Sequence, residues 1–262
     1  VFRRVDLEGF DVEAISKNVA KVSYATSLMK KGVLISTTEH LLSAFIGMGV
    51  DNAIVELDNL ELPILDGSAL PYVEMITDAG LRRQRRKRTY LKILRPYEMR
   101  EGEKSIGVYP ADRYSVSYAI NFPHPLIGSE RFEVELSNGS YVEQIASART
   151  FGFLDQQRAM LNMGLIRGAT RDNCIVLTAD RVVNPPLRYP DEFVRHKVLD
   201  LIGDLALFGK RILGYVKADR AGHAMHTAIV SRILRDQTYW EEITLNEAAT
   251  AHWPAEHLAI AD

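Results

Sequence analysis

Cysteine is almost absent from this sequence: Cys174 is the only one in 262 residues. An internal disulfide and a cysteine-rich zinc site are thereby excluded, and the apolar setting NCIVL predicts a buried thiol. Long apolar runs are missing too. None approaches the ~20 residues that span a bilayer, and no charged-then-apolar leader opens the chain. An unexported protein of the reducing cytoplasm, without a transmembrane segment, is expected. Charge of one sign is also lacking, because 32 Lys and Arg stand against 34 Asp and Glu, for a net charge of -2. No global pull toward nucleic acid or an anionic membrane follows from that balance. An initiator Met is lacking as well: Val1 leads straight into VFRRVDL, which alternates like a strand already under way, and a missing N-terminal portion is expected.

What is present is a composition 47% hydrophobic, enough for one large or two medium domains with a substantial core. NVAKVSYATSLMKKGVLIS offers short β-rich pieces broken by Lys30, Lys31 and Gly32. The spacing of Leu41, Leu42, Phe45 and Ile46 then predicts a helix from about Thr38 to the glycines of IGMGV, followed by a strand in DNAIVELDN. ELPILDGSALP is dense in turn formers, and PYVEMITDAGL reads as a second helix. Beyond the basic run RRQRRKR, strand-like alternation returns, and that shift in composition sets a domain boundary: 1–86 and 87–262. In the second half YSVSYAINF, RFEVELS and NCIVLTADRVV read as strands. YVEQIASARTFGFLDQQRAMLNMGL carries helical spacing, and DEFVRHKVLDLIGDLALFG is the strongest amphipathic helix. KRILGYVKADRAGHAMHTAIVSRIL closes with a strand, a glycine turn and a helix. A faint internal echo joins the halves, since His40 is followed seven residues later by Gly47 and His196 by Gly203. Two domains of related β/α plan are expected.

Six cations in seven positions, Arg82 to Arg88, have the footprint of a phosphate-binding run. The run has no aromatic stacking partners and lies between two globular patterns, so a solvated linker is the favoured reading and no nucleic-acid partner is expected.

In VRHKVLDLIGD, His196, Asp200 and Asp204 are spaced by four and project from one helix face. An imidazole and a carboxylate at that spacing can hold a divalent metal, although such pairs are more often solvated surface pairs. Here apolar residues occupy most of the circumference, so the polar stripe is narrow, and buried carboxylates need partners. A catalytic zinc site needs three N or O ligands and an open position. His40 is the best third candidate, and it carries Glu39 to the metal's edge, where a carboxylate can take a proton from water. The plainer reading of Glu39 is a first-turn carboxylate facing the helix dipole. In DRAGHAMH, His223 follows the flexible Gly222 and suits oxyanion stabilisation or protonation of a leaving amine, with Asp204 orienting its ring. His226 competes for that role, and His124, in NFPHPLIG, suits a turn.

Taken together, TTEHLLSAF, ELPILDGSALP, RTFGF, FVRHKVLDLIGDL and DRAGHAMH resemble the UDP-3-O-acyl-N-acetylglucosamine deacetylases, the zinc amidases of lipid A synthesis in Gram-negative bacteria. The match runs in order across nearly the whole chain, although family members open with strands and a Gly-Leu-His-rich turn that precede the point matching Val1. The resemblance implies zinc held by His40, His196 and Asp200, Glu39 as general base, His223 as general acid or oxyanion-stabilising group, and Asp204 as its partner. It implies that Thr150 polarises the amide carbonyl, that Lys197 lies near the diphosphate, that Phe122 contacts the uridine end and that Asp66 supports the site. Phe151 and the insert near 150–178 would line a passage for the acyl chain. The implied fold is α+β: two related domains, each a β-sheet layered on helices, with the helical layers packed together and the active site between them. The implied substrate is an acylated UDP-N-acetylglucosamine, and a monomer is expected. Two imidazoles and a carboxylate also suit Fe(II). A zinc amidohydrolase with a different amide substrate, and a non-catalytic binding protein using the Arg82 to Arg88 run, are the alternatives.

Overall fold

The computed structural model describes residues 1–20, 22, 24–156, 170, 172–184 and 186–244. The chain opens with β1 (Phe2–Arg4) antiparallel to β2 (Phe10–Val12), then a hairpin of β3 (Leu28–Lys30) and β4 (Val33–Ile35). Lys31 and Gly32, at φ 49° and 84°, form its two-residue turn, because a backbone with positive φ at both positions matches the twist of the strands it joins. Helix α1 (Glu39–Met48) starts after Thr38 and stops at Gly49, as its sequence predicts. β5 (Val55–Leu57) then lies parallel to β1, completing a three-stranded sheet in the order β2–β1–β5. Helix α2 (Leu70–Ala79) carries Pro71 in its first turn, where a missing N–H leaves no bond unmade.

The second half is built on a seven-stranded sheet. Its strands are β6 (Thr89–Ile93), β7 (Tyr97–Glu101), β8 (Lys104–Tyr109), β9 (Tyr114–Phe122), β10 (Gly128–Glu135), and the later β13 and β14. Between them come α3 (Asn138–Gln144), β11 (Phe151–Phe153), β12 (Ile175–Leu177) and α4 (Glu192–Leu205). β13 (Arg211–Asp219), α5 (His223–Leu234) and β14 (Trp240–Thr244) follow. β13 is the spine of the large sheet, parallel to β9 and β6 and antiparallel to β8. The fold is α+β. No helix among the described residues is long and apolar enough to cross a membrane.

The helical spacing of 141–165 is only partly realised. α3 ends at Gln144, and Phe151–Phe153 is instead a strand, paired in parallel with Ile175–Leu177. A short run of aromatics fits a half-buried strand as well as a helix, and here the sheet partner decides. Residues 157–169, which include the end of that stretch and much of the acyl-chain insert, lie outside the described residues.

Helix α4 is buried almost all round; of its residues only Arg195 and Lys197 are not buried. It packs against α1 at very close range. A Cβ on Gly203 would stand 2.7 Å from the carbonyl carbon and 2.9 Å from the Cα of Glu39, and closer still to the carbonyl oxygen. Only glycine lets the backbone of α4 touch the first turn of α1, and that contact sets the distance between the groups the two helices carry.

Candidate active site

The α1–α4 contact brings His40 from one helix against His196 and Asp200 from the other. Nε2 of His40 lies 3.6 Å, and Nε2 of His196 3.4 Å, from Oδ1 of Asp200. The two rings meet edge to face with centroids 5.1 Å apart. All three side chains are buried. His196 donates through Nδ1 to the Ala148 carbonyl at 3.0 Å, which turns its Nε2 toward Asp200. Burial pushes the His196 imidazole down to about 3, so the ring is neutral and Nε2 carries a free lone pair. Burial alone would raise Asp200, but His196, Lys197 and His223 more than offset it and hold the carboxyl well below the usual range. Lys197 donates to Oδ2 at 2.9 Å, whereas the buried Oδ1 has no hydrogen-bond partner among the described residues. An ionised, unpaired oxygen facing two imidazole nitrogens is costly unless a cation joins them. The donor set of two nitrogens and one oxygen, with donor atoms within 4.8 Å of one another, fits a divalent metal.

Glu39, next to His40 in the first turn of α1, is buried, and burial raises its pKa against the lowering influence of His223 and His40. Its Oε2 accepts the Thr26 N–H at 3.1 Å. The Thr26 hydroxyl in turn donates to Oδ1 of Asp204, so one residue ties the two carboxylates together. Oδ2 of Asp204 accepts from Nδ1 of His223 at 2.7 Å and from Nδ1 of His226 at 2.8 Å. Burial opposes a charge on His223, but Asp204 and Asp200 outweigh it and push that imidazole up to about 10. His223 is therefore an imidazolium, with Nε2 aimed at Asp200 from 3.7 Å. Burial lowers His226, which is neutral. Thr37 and Arg220, at φ 60° and 51°, hold left-handed backbone just before Glu39 and His223. Such conformations cost ~1–3 kcal/mol each and concentrate where side chains must be aimed.

A second group of predicted residues gathers beside the first. The segment from Ala148 to Phe151 is pinned to the start of α4 by a buried ion pair, Arg149 with Glu192 at 2.9 Å. Thr150 is fixed by its backbone between Gly67 and Ile175. Phe151 packs on Phe122 and Phe193, with ring centroids 5.6 and 5.0 Å away, and Lys197 Nζ stands 5.6 Å from its centroid. Phe122 and Lys197 also line an open cleft of about 450 Å³, with Lys104, Asn121 and Arg220. Asp66 is engaged differently, with the backbone and hydroxyl of Ser68 and an ion pair to Arg188 at 2.8 Å. His124 braces its turn, accepting the Leu126 N–H and reaching the Thr178 carbonyl. Thr26, Tyr118 and the Arg149–Glu192 pair are not legible in the sequence. Thr26 meets Asp204 from 178 positions away. The one available signal is Glu192, a carboxylate directly before the apolar Phe193 and Val194 in the first turn of a helix.

Known proteins are similar to this chain over most of its length. The model of the UDP-3-O-acyl N-acetylglycosamine deacetylase family matches residues 1–235. A protein of Solibacter usitatus (strain Ellin6076) named UDP-3-O-acyl-N-acetylglucosamine deacetylase is 51% identical over 251 residues, 95% of this chain and 85% of that protein. Proteins of the same name from Xanthomonas campestris pv. campestris (strain B100) and Teredinibacter turnerae (strain ATCC 39867 / T7901) are 44% and 39% identical over 94% and 96% of this chain and 83% and 84% of their own lengths. With a family match over residues 1–235 and a relative 51% identical over 95% of its length, the chain belongs to the UDP-3-O-acyl N-acetylglycosamine deacetylases.

Proposed function

We propose that this chain hydrolyses the acetamide of an acylated UDP-N-acetylglucosamine, giving the free amine and acetate, a step of lipid A synthesis in a Gram-negative bacterium. The observation that carries the reading is the unpaired Oδ1 of Asp200 facing two imidazole nitrogens, with Glu39 and His223 nearby. His40, His196 and Asp200 would hold the metal, for which zinc is proposed. A zinc ion in that triad supplies a Lewis acid that makes water acidic near neutral pH and polarises the amide oxygen.

Glu39 takes the proton from the attacking water; its raised pKa suits a base that must later release it. The His223 imidazolium protonates the departing nitrogen and stabilises the developing oxyanion, while Asp204 holds its ring through Nδ1. Thr150 helps polarise the carbonyl. In the cleft, Lys197 suits a diphosphate and Phe122 suits the uridine ring, while Phe151 begins an apolar passage for the acyl chain. Asp66 acts at one remove, by fixing the turn that holds the Thr150 backbone through Gly67. We read the molecule as a cytoplasmic monomer of two domains, 1–86 and 87–262, with the site between them.

The test is a deacetylation assay on the acylated UDP-sugar with metal analysis of the same protein. Chelation should abolish turnover and stoichiometric zinc should restore it, with Fe(II) as the comparison. Glu39→Ala should lose turnover while keeping its metal. Full turnover in Glu39→Ala, or turnover indifferent to chelators, would overturn this reading.

A further inference from the structure

His226 is spent on the same atom as His223. Both rings direct Nδ1 to Oδ2 of Asp204, at 2.7 and 2.8 Å. A carboxylate only accepts, so each Nδ1 carries a hydrogen, and a neutral His226 then has a bare Nε2. That nitrogen lies 3.1 Å from the Tyr118 hydroxyl, which also donates to the Ala221 carbonyl at 2.5 Å. The single phenolic hydrogen is shared between two acceptors, and both lead to His223: one through Asp204, the other through the turn two residues before it. Tyr118, His226 and Asp204 are all essentially free of solvent exposure. None of them can exchange its partner for water.

We infer that His226, braced by Tyr118, is a positioning residue for deacetylation: its Nδ1–H holds the Asp204 carboxylate in the one orientation that presents Nε2 of His223 to the reacting centre. With Thr26 on Oδ1 and two imidazoles on Oδ2, the carboxylate cannot rotate about its own bond without breaking a buried hydrogen bond. Removing the His226 donor leaves Oδ2 held by His223 alone, so the carboxylate can tilt about its Thr26 anchor and the His223 ring shifts with it. The loss falls on the chemical step, because neither His226 nor Asp204 lies among the residues that line the substrate cleft. The inference rests on the deacetylase reading above.

Three substitutions separate positioning from mere filling of space. Asn places its Nδ2 where the imidazole Nδ1 stands and can still donate to Asp204. Gln extends its amide toward Tyr118 and offers no donor at that point, and Ala offers neither. In the zinc-loaded full chain, His226→Ala and His226→Gln should lower kcat by about 10–100-fold with KM near the wild-type value, the range usual for partners that orient a site. His226→Asn should recover most of that loss. Where His226→Ala does not fold, the comparison of Asn with Gln carries the test. Wild-type kcat in His226→Ala, equal kcat in Asn and Gln, or a loss confined to KM overturns the inference while the deacetylase reading stands. A wild-type protein that fails to deacetylate the substrate overturns both.

Discussion

Gly203→Ala inserts one methyl group between two backbones, and its effect can be worked from the packing. The added Cβ would lie within 2.9 Å of three backbone atoms of Glu39, whereas real Cβ atoms keep beyond 3.0 Å. The obstacle is main chain, so no rotamer change relieves it. The carbonyl oxygen is the nearest of the three, and α1 must withdraw from α4 by about 1 Å to clear it. Overpacking of this kind costs ~1–3 kcal/mol of stability. The functional loss is larger, because the part that withdraws carries Glu39 and His40 away from His196 and Asp200. Metal-ligand distances tolerate about 0.2 Å, and a 1 Å misplacement at a reacting centre is worth about 10²-fold in rate. Denaturant unfolding, chelator competition for zinc and kcat, measured on one preparation, should all fall. Gly139→Ala in α3 is the control, since among the described residues its Cβ meets nothing closer than 4.0 Å. There the same substitution should stabilise, by up to ~1 kcal/mol from helix propensity. A Gly203→Ala protein with wild-type zinc affinity and kcat would refute the claim that this helix contact sets the site.

Glu192→Ala leaves the Arg149 guanidinium buried without its carboxylate, and a loss of ~3–5 kcal/mol is expected in denaturant unfolding. A loss below ~1 kcal/mol would show that water reaches the pair. The metal-free protein should have a stability maximum in pH. His223, at about 10 when folded against ~6.5 unfolded, contributes stability that is complete below pH ~6.5 and is lost as the pH rises through 10. His196, at about 3 when folded, acts in the opposite sense, and its contribution is lost as the pH falls from ~6.5 toward 3. His223→Asn should flatten the alkaline arm and leave the acid arm in place, as read by thermal unfolding of chelated protein across pH; an unchanged alkaline arm would contradict the assignment.

Local signals carried the reading of the sequence where structure is locally determined. Thr38 and Gly49 bracket α1, Lys31 and Gly32 make a hairpin, and the four-residue spacing of His196, Asp200 and Asp204 puts three groups on one face of α4. What depends on a distant partner was not legible. Phe151–Phe153 has the composition of either element and becomes a strand because Ile175–Leu177 is there to pair with it. Thr26 sits in an unremarkable SYATS stretch and acquires its role only when Glu39 and Asp204 close on it. Gly203 was visible as half of an echo with Gly47, but the two glycines meet different neighbours, the Glu39 backbone and the Tyr141 ring. The echo in sequence did not carry an equivalence of contacts.

The proposed metal joins the two helices through His40, His196 and Asp200. Anomalous diffraction across the zinc edge, on crystals of protein purified without chelator, tests it most directly. One peak is expected, at ~2.0–2.2 Å from a nitrogen of each histidine and from an Asp200 oxygen. A peak instead on Asp204, His223 and His226, which also lie close enough together to hold an ion, would contradict it. So would crystals of active enzyme with no peak at the triad.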